Sequence, residues 1–441
     1  MKELIQKIKN NTACVGVVGL GYVGLPLSIA FSKKFDTIGY DVYEKCIENL
    51  MTGKSHILDV SDSTLQTYMG KSFNPTKNPE DLKKCDFIII CVPTPLSEQK
   101  EPNLSYIKSA CNTISKVLHR GQFVILESTT YPGTTEEVVL PILESSGLKV
   151  VEDFGLAYSP ERIDPGNKQF NVESTPKIVG GINEESTEIA AILYGSVINK
   201  IITVKDAKTA EAVKIVENIF RNVNIALVNE LALIFEKMRI DTWEVIEAAS
   251  SKPYGFMPFY PGPGIGGHCI PLDPYYMSYK AKKFGFIPRF IETSGEINNF
   301  MEIHTVNLVE KGLSKVNKKI YGSNIAVMGL AYKKNIDDTR ESPSIKIIEE
   351  LVNLGANVKV YDPFTKLIKT NVGKFYSEVT VEEALKGADC AVFVVDHDLF
   401  KELDLKELGK LMNYPVVIDC KNLNHNLDGI IYLGIGKNNG N

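Results

Sequence analysis

The stretch from Tyr260 to Tyr276 reads Y-P-G-P-G-I-G-G-H-C-I-P-L-D-P-Y-Y and holds the residues best suited to covalent chemistry. Gly262, Gly264, Gly266 and Gly267 precede a single cysteine, Cys269, and Asp273 follows it. Glycines let backbone approach a ligand closely. A thiol in such a loop, near backbone N–H donors and a carboxylate, is a candidate nucleophile. The same pattern also fits a Pro/Gly-rich turn with a structural cysteine, so the rest of the chain must decide.

Other residues could serve the same chemistry. Between residues 208 and 237 there is no Pro or Gly, and apolar residues recur at Val213, Val216, Phe220, Val223, Leu227, Leu231 and Ile234, which predicts a long helix. A second stripe, Lys214, Asn218, Asn222 and Asn229, falls on one face of that helix. A lysine followed by amides on an otherwise apolar helix suggests a buried, hydrogen-bonded site; a wet surface face is the plainer alternative. Glu161 and Arg162 follow a short strand near 156–158 and read as a site pair or a surface ion pair.

These groups need a scaffold, and the chain alternates strands and helices in a way that supplies one. Cys14–Val18 reads as a buried strand leading into Gly19-Leu-Gly21-Tyr22-Val23-Gly24 and then a helix from Leu25 to Lys34. This is G-x-G-x-x-G in strand-turn-helix context, with Gly19 for the tight turn, Gly21 for approach of a pyrophosphate and Gly24 for helix packing. A second strand ends at Asp41, where an acid would hold a ribose 2′-hydroxyl and repel a 2′-phosphate, favouring NAD over NADP. Further strands, 87–92 and 123–126, end near Thr94 and Thr129, placed to touch a dinucleotide or to hydrogen-bond their own turns. After a helical middle, a second β-α-β pattern starts at Asn324 but lacks the glycine fingerprint. In its place stands a loop with Lys333, Lys334 and Arg340 before a helix N-terminus, which suits phosphate.

Composition limits the alternatives. The chain has 441 residues, with 44% hydrophobic and 23% charged, which is globular and long enough for several domains. A net charge of −5 gives no global attraction for nucleic acid. Eight scattered cysteines form no C-x-x-C pair, so no metal site is expected, and reduced thiols in apolar runs point to the cytoplasm. The N-terminus lacks the apolar core of a signal peptide, and no apolar run is long enough to span a membrane. The expected fold is α/β: two Rossmann-like domains joined by a central helical domain with one long helix. The expected cuts are 1–198, a dinucleotide-binding domain that favours NAD; 199–310, a helical domain with the lysine–asparagine stripe and the cysteine loop; and 311–441, a second Rossmann-like, nucleotide-type domain. The helical domain is expected to pair two copies as a homodimer.

The motifs together resemble the nucleotide-sugar 6-dehydrogenases, the UDP-glucose/GDP-mannose dehydrogenase family. The resemblance rests on Gly19–Gly24, Ser159-Pro-Glu161, Ala210-Glu-Ala-Val-Lys214 through Asn218 with Asn229-Glu230, Gly266-Gly267-His268-Cys269 with Asp273, and Asp338-Thr-Arg340-Glu-Ser342, and it covers essentially the whole chain. The stretch from Phe256 to Tyr276 is similar to the branch acting on UDP-N-acetylhexosamines, above all UDP-N-acetylglucosamine. Leu272 stands where UDP-glucose enzymes often carry lysine, and no arginine lies between Arg239 and Cys269.

The resemblance implies oxidation of a primary alcohol to a carboxylate with two NAD in succession. Asp273 and Lys214 would hold the water that acts as base, and Cys269 would trap the aldehyde as a thiohemiacetal that becomes a thioester. Lys214 and Asn218 would stabilise the oxyanion, and Glu161 would activate the hydrolytic water. Arg162, Gly266, Gly267 and Lys333 are expected on the nucleotide sugar and Arg340 toward the cofactor; His268 has no assigned role. Two rivals are a one-step β-hydroxyacid-type dehydrogenase, which needs no cysteine, and a non-catalytic NAD-binding scaffold, which leaves the lysine–asparagine stripe unexplained.

Overall fold

The computed structural model describes residues 2–438 except 58, 98–99, 163–170, 268, 424–426 and 428. The chain packs as two compact units, 1–217 with 275–286, and 218–274 with 287–441.

The first unit is built on one eight-stranded sheet. Its strands are β1 (Cys14–Val18), β2 (Asp36–Tyr40), β3 (Phe73–Thr76), β4 (Phe87–Ile90), β5 (Phe123–Leu126), β6 (Gly155–Tyr158), β7 (Lys177–Gly181) and β8 (Ile201–Thr203). They lie in the order β3-β2-β1-β4-β5-β6-β7-β8, parallel except where β6 meets β7. The order reverses between β1 and β4, and a doubly wound sheet binds its ligand at that point. Helices cover both faces, which is why Phe87–Ile90 and Phe123–Leu126 are unbroken apolar runs, buried throughout. Each such side chain contributes roughly 1.5–3 kcal/mol of burial. The strands expected over 87–92 and 123–126 are present, the former ending at Ile90 with Cys91 buried just beyond it.

The second unit carries a parallel sheet of β9 (Asn324–Met328), β10 (Asn357–Tyr361), β13 (Cys390–Phe393), β14 (Val416–Asp419) and β15 (Ile431–Gly434) in the order β10-β9-β13-β14-β15. An antiparallel pair, β11 (Leu367–Thr370) and β12 (Gly373–Tyr376), stands beside it. The helix Arg289–Ser314 packs on this sheet, and Gly312 marks the contact: a Cβ there would lie 2.7 Å from Val416. The helix Pro343–Asn353 starts as its sequence dictates, with Ser342 capping the Ser344 amide and Pro343 in the first turn.

The long helix spans Ala207–Met238, 32 residues or about 48 Å. Asp206 caps its start by accepting from the Thr209 amide at 2.8 Å, and Arg239 leaves it with φ +61. Its two stripes are sorted opposite to ordinary amphipathicity. Lys214, Asn218, Asn222 and Asn229 are buried, while Val216, Phe220, Leu227, Ile234 and Met238 are exposed. Among the described residues no helix is long and apolar enough to cross a membrane.

Candidate active site

In the first unit the turn after β1 has the geometry its glycines call for. The Gly19 amide donates to the Tyr40 carbonyl at 2.8 Å, and its φ of +94 suits only glycine. A Cβ on Gly24 would lie 1.8 Å from the Gly19 carbonyl oxygen, so the helix start can close on the turn only with glycine there. A Cβ on Gly21 would meet nothing within 4 Å, so this backbone faces open space. Asp41 follows β2, with one carboxylate oxygen accepting from the Leu20 amide and the other from the Tyr43 amide, both at 2.8 Å. The acid thus braces the turn and stays half-exposed. Tyr22 is on the surface, and Val23, the residue before the helix, packs against the core. Thr94 and Thr129 are half-buried in the loops after β4 and β5. Backbone that faces open space at Gly21, just ahead of a helix N-terminus and beside a strand-end acid, fits a dinucleotide.

The same unit brings Glu161 and Lys214 together. The amine lies 3.3 Å from the carboxylate, and both side chains are over 90% buried. Arg162 does not pair with Glu161. Its guanidinium bonds Glu217 at 2.5 and 3.3 Å and the Pro176 carbonyl at 2.7 Å, tying the segment after β6 to the long helix.

Two buried carboxylates here carry no role in the sequence reading. Glu211 accepts from the Gly133 and Thr135 amides and the Thr135 hydroxyl, so it grips the turn that follows Thr129. Burial pushes its carboxyl up to about 7. The available signal was its place one turn before Lys214 on the same face. Glu127 bonds Lys177 and the Tyr194 hydroxyl inside the core. No spacing rule links those three residues.

In the second unit the asparagine stripe has a specific use. Asn218 donates to the Asp273 carboxylate at 2.5 Å, Asn222 donates to the Ile270 carbonyl at 3.0 Å, and the Asn229 side-chain oxygen accepts from the Gly262 amide at 2.9 Å. Each amide therefore holds one point of the glycine-cysteine loop. Ser294 and Asn298, from the helix Arg289–Ser314, bond Asn222 and Asn229 in turn. Buried amides satisfied this completely fix a loop without charge. The turn closes when the Asp273 amide donates to the Cys269 carbonyl at 2.9 Å, and Cys269 is exposed. His268 lies outside the described residues.

The loop after β9 supports these glycines. A Cβ on Gly266 would lie 2.6 Å from Tyr332 and 2.8 Å from the Glu341 carbonyl, and one on Gly267 would lie 2.9 Å from the Tyr332 ring. The Gly267 amide donates to the Arg340 carbonyl at 3.3 Å, while the Arg340 guanidinium turns onto Asp338. Lys333 is half-buried one residue past Tyr332. Lys421, just past β14, was not foreseen; its amine lies 3.1 Å from where a Gly262 Cβ would stand.

The fold and these turns define a dinucleotide-binding oxidoreductase with a second nucleotide-type sheet. The descriptions of the UDP-glucose/GDP-mannose dehydrogenase family match in series: its NAD binding domain over residues 13–198, its central domain over 208–300 and its UDP binding domain over 326–426. A UDP-N-acetyl-D-glucosamine 6-dehydrogenase of Pseudomonas aeruginosa is 40% identical over 90% of this chain and 93% of its own. A UDP-N-acetyl-D-mannosamine dehydrogenase of Pyrococcus horikoshii is 38% identical over 96% and 99%. A solved structure of a UDP-D-ManNAc dehydrogenase from Pyrococcus horikoshii superimposes with a TM-score of 0.91 at 37% identity, covering 97% of this chain and 100% of that one. The chain belongs to the UDP-glucose/GDP-mannose dehydrogenase family, and NAD is its cofactor.

Proposed function

We propose that this protein oxidises C6 of a UDP-N-acetylhexosamine, UDP-N-acetylglucosamine foremost, to the uronate through a covalent bond to Cys269. The observation that carries the proposal is the contrast among the eight cysteines: six are buried, Cys14 is partly covered, and Cys269 alone is exposed, on a loop held by buried asparagines. A structural thiol needs no such display. The names of the relatives support the sugar class and divide over the epimer.

NAD would be held at Gly19, Gly21, Tyr22, Val23, Gly24, Asp41, Thr94 and Thr129 and would supply a hydride acceptor twice, while Arg340 is turned onto Asp338. Asp273, with Lys214, holds the water that takes the C6 hydroxyl proton as the alcohol becomes an aldehyde. The Cys269 thiolate adds to the aldehyde carbon and the oxygen takes a proton, giving a thiohemiacetal. Loss of its carbon-bound hydrogen as hydride, and of the oxygen's proton, leaves a thioester. Lys214 and Asn218, one turn apart on one helix, stabilise the oxyanion at roughly 3–4 kcal/mol per donor. Glu161 takes a proton from the water that cleaves the thioester, releasing the acid and the thiol. Gly266, Gly267, Lys333 and Lys421 bind the nucleotide sugar, while Arg162, held on Glu217 and the Pro176 carbonyl, positions the segment that carries Glu161.

The exposed apolar stripe Phe220, Leu227, Ile234 and Met238 supports a homodimer through the central helical region, working in the cytoplasm. The domain cuts at 198 and 310 belong to the same reading.

The test is to count NADH against each of a panel of UDP-hexoses and UDP-N-acetylhexosamines. Two NADH per UDP-N-acetylhexosamine are expected, and a ratio of one sinks the covalent scheme. Cys269→Ser should abolish acid formation while NAD and UDP-sugar still bind.

A further inference from the structure

The helix Asp273–Lys283 continues directly from the cysteine turn, and from Tyr275 onward it belongs to the first unit. Its contacts there fall on two loops at the carboxyl edge of the sheet. Tyr276 is fully buried and its hydroxyl donates to the Thr94 carbonyl in the loop after β4. The Lys100 amine sits 4.8 Å above the Tyr275 ring. In the loop after β5, the Tyr131 ring packs on Tyr279 at 5.6 Å, and in the helix Thr135–Val139 that follows, both Glu137 oxygens accept from the Lys280 amine at 2.6 Å. One helix from outside the Rossmann motif therefore clamps both loops on the far side of the switch point.

Sheet order tells which part of the dinucleotide those loops meet. By the general rule for doubly wound sheets, Asp41, after β2, would meet the adenosine ribose and the glycine turn after β1 the pyrophosphate. The remaining half, with the nicotinamide, would then lie over the ends of β4 and β5. The wall of the crevice there includes the backbone around Thr94, and a backbone segment sits where its hydrogen bonds hold it.

We propose that Tyr276 is a positioning residue for the nicotinamide half of NAD, setting the β4 loop through its hydrogen bond to the Thr94 carbonyl. It acts through that loop and touches no reacting atom. The inference rests on NAD binding alone and does not depend on the covalent role of Cys269.

Tyr276→Phe keeps the ring and removes the donor. Calorimetric titration of the full-length variant with NAD and, separately, with ADP, which ends at the pyrophosphate, reads the effect. The Kd for NAD should rise about fivefold, the value of one net hydrogen bond, while the Kd for ADP stays unchanged. Lys280→Met, which loosens the same helix from Glu137 just past the β5 loop, should show the same asymmetry and carries the test if Tyr276→Phe folds poorly. Equal weakening for both ligands means general loosening and overturns the proposal, as does an unchanged Kd for NAD.

Discussion

The turn after β1 and the turn after β9 begin alike and end differently. Gly19 and Gly329 each donate at 2.8 Å to the last residue of the neighbouring strand, Tyr40 and Tyr361. Each of those tyrosines precedes an aspartate. Asp41 accepts from two amides and stays half-exposed. Asp362 is buried and accepts from the amides of Leu330, Ala331, Phe364 and Thr365 and from the His397 ring. Ala331 replaces the open glycine and is itself buried. One geometry thus makes an open cradle in the first unit and an internal brace in the second. What separates them is how much of the carboxylate is left over once the backbone has used it.

The largest effect should come from closing the first turn. Gly24→Ala puts a methyl 1.8 Å from the Gly19 carbonyl oxygen and should cost about 3 kcal/mol or more in urea unfolding, with loss of NAD binding.

Next come the two aspartates. Asp362→Asn should destabilise the protein by about 2–3 kcal/mol at pH 7, because five donors lose an ionised acceptor. Burial alone would raise the Asp362 carboxyl, but the His397 hydrogen bond and the backbone amides outweigh it and hold it below its ordinary value. That stability is therefore present above the ordinary carboxylate range and is lost as pH falls through the lower folded value, a slope the variant should lack. Asp41→Asn should leave stability within about 1 kcal/mol and weaken NAD about tenfold. Equal stability losses at the two positions would erase the distinction between cradle and brace.

A smaller effect tests how the turn that follows Thr129 is supported. With its carboxyl raised to about 7, folded Glu211 holds its proton where the unfolded chain has lost it. Stability should fall as pH rises from about 4.3 to 7. Glu211→Gln should flatten that limb, read from melting temperatures across the range. The smallest stability change is expected at Gly21→Ala, within about 0.5 kcal/mol since the methyl meets nothing, with the loss confined to NAD affinity.

Much of the scaffold was legible because it depends on local rules. A run such as Phe87–Ile90 has only one stable use in a parallel sheet, and Gly19–Gly24 announced its turn by spacing. The polar stripe on the long helix was readable as a buried site, since repeated asparagine is a poor choice for a wet face. Its partners were not readable: no local signal says that Asn222 meets the Ile270 carbonyl or that Asn229 meets the Gly262 amide. Arg162 looked available beside Glu161 but is taken up by Glu217 and Pro176, 55 and 14 residues away.

By itself the sequence determined the α/β alternation, the nucleotide turn and the family, because strand burial, glycine geometry and motif order are properties of short segments. Only the tertiary structure decided which of two matching aspartates keeps a free edge, which points of the cysteine loop the buried asparagines hold, and which loops the Tyr276 helix clamps. Those outcomes depend on desolvation and hydrogen-bond saturation, and both are set by residues far apart in the chain.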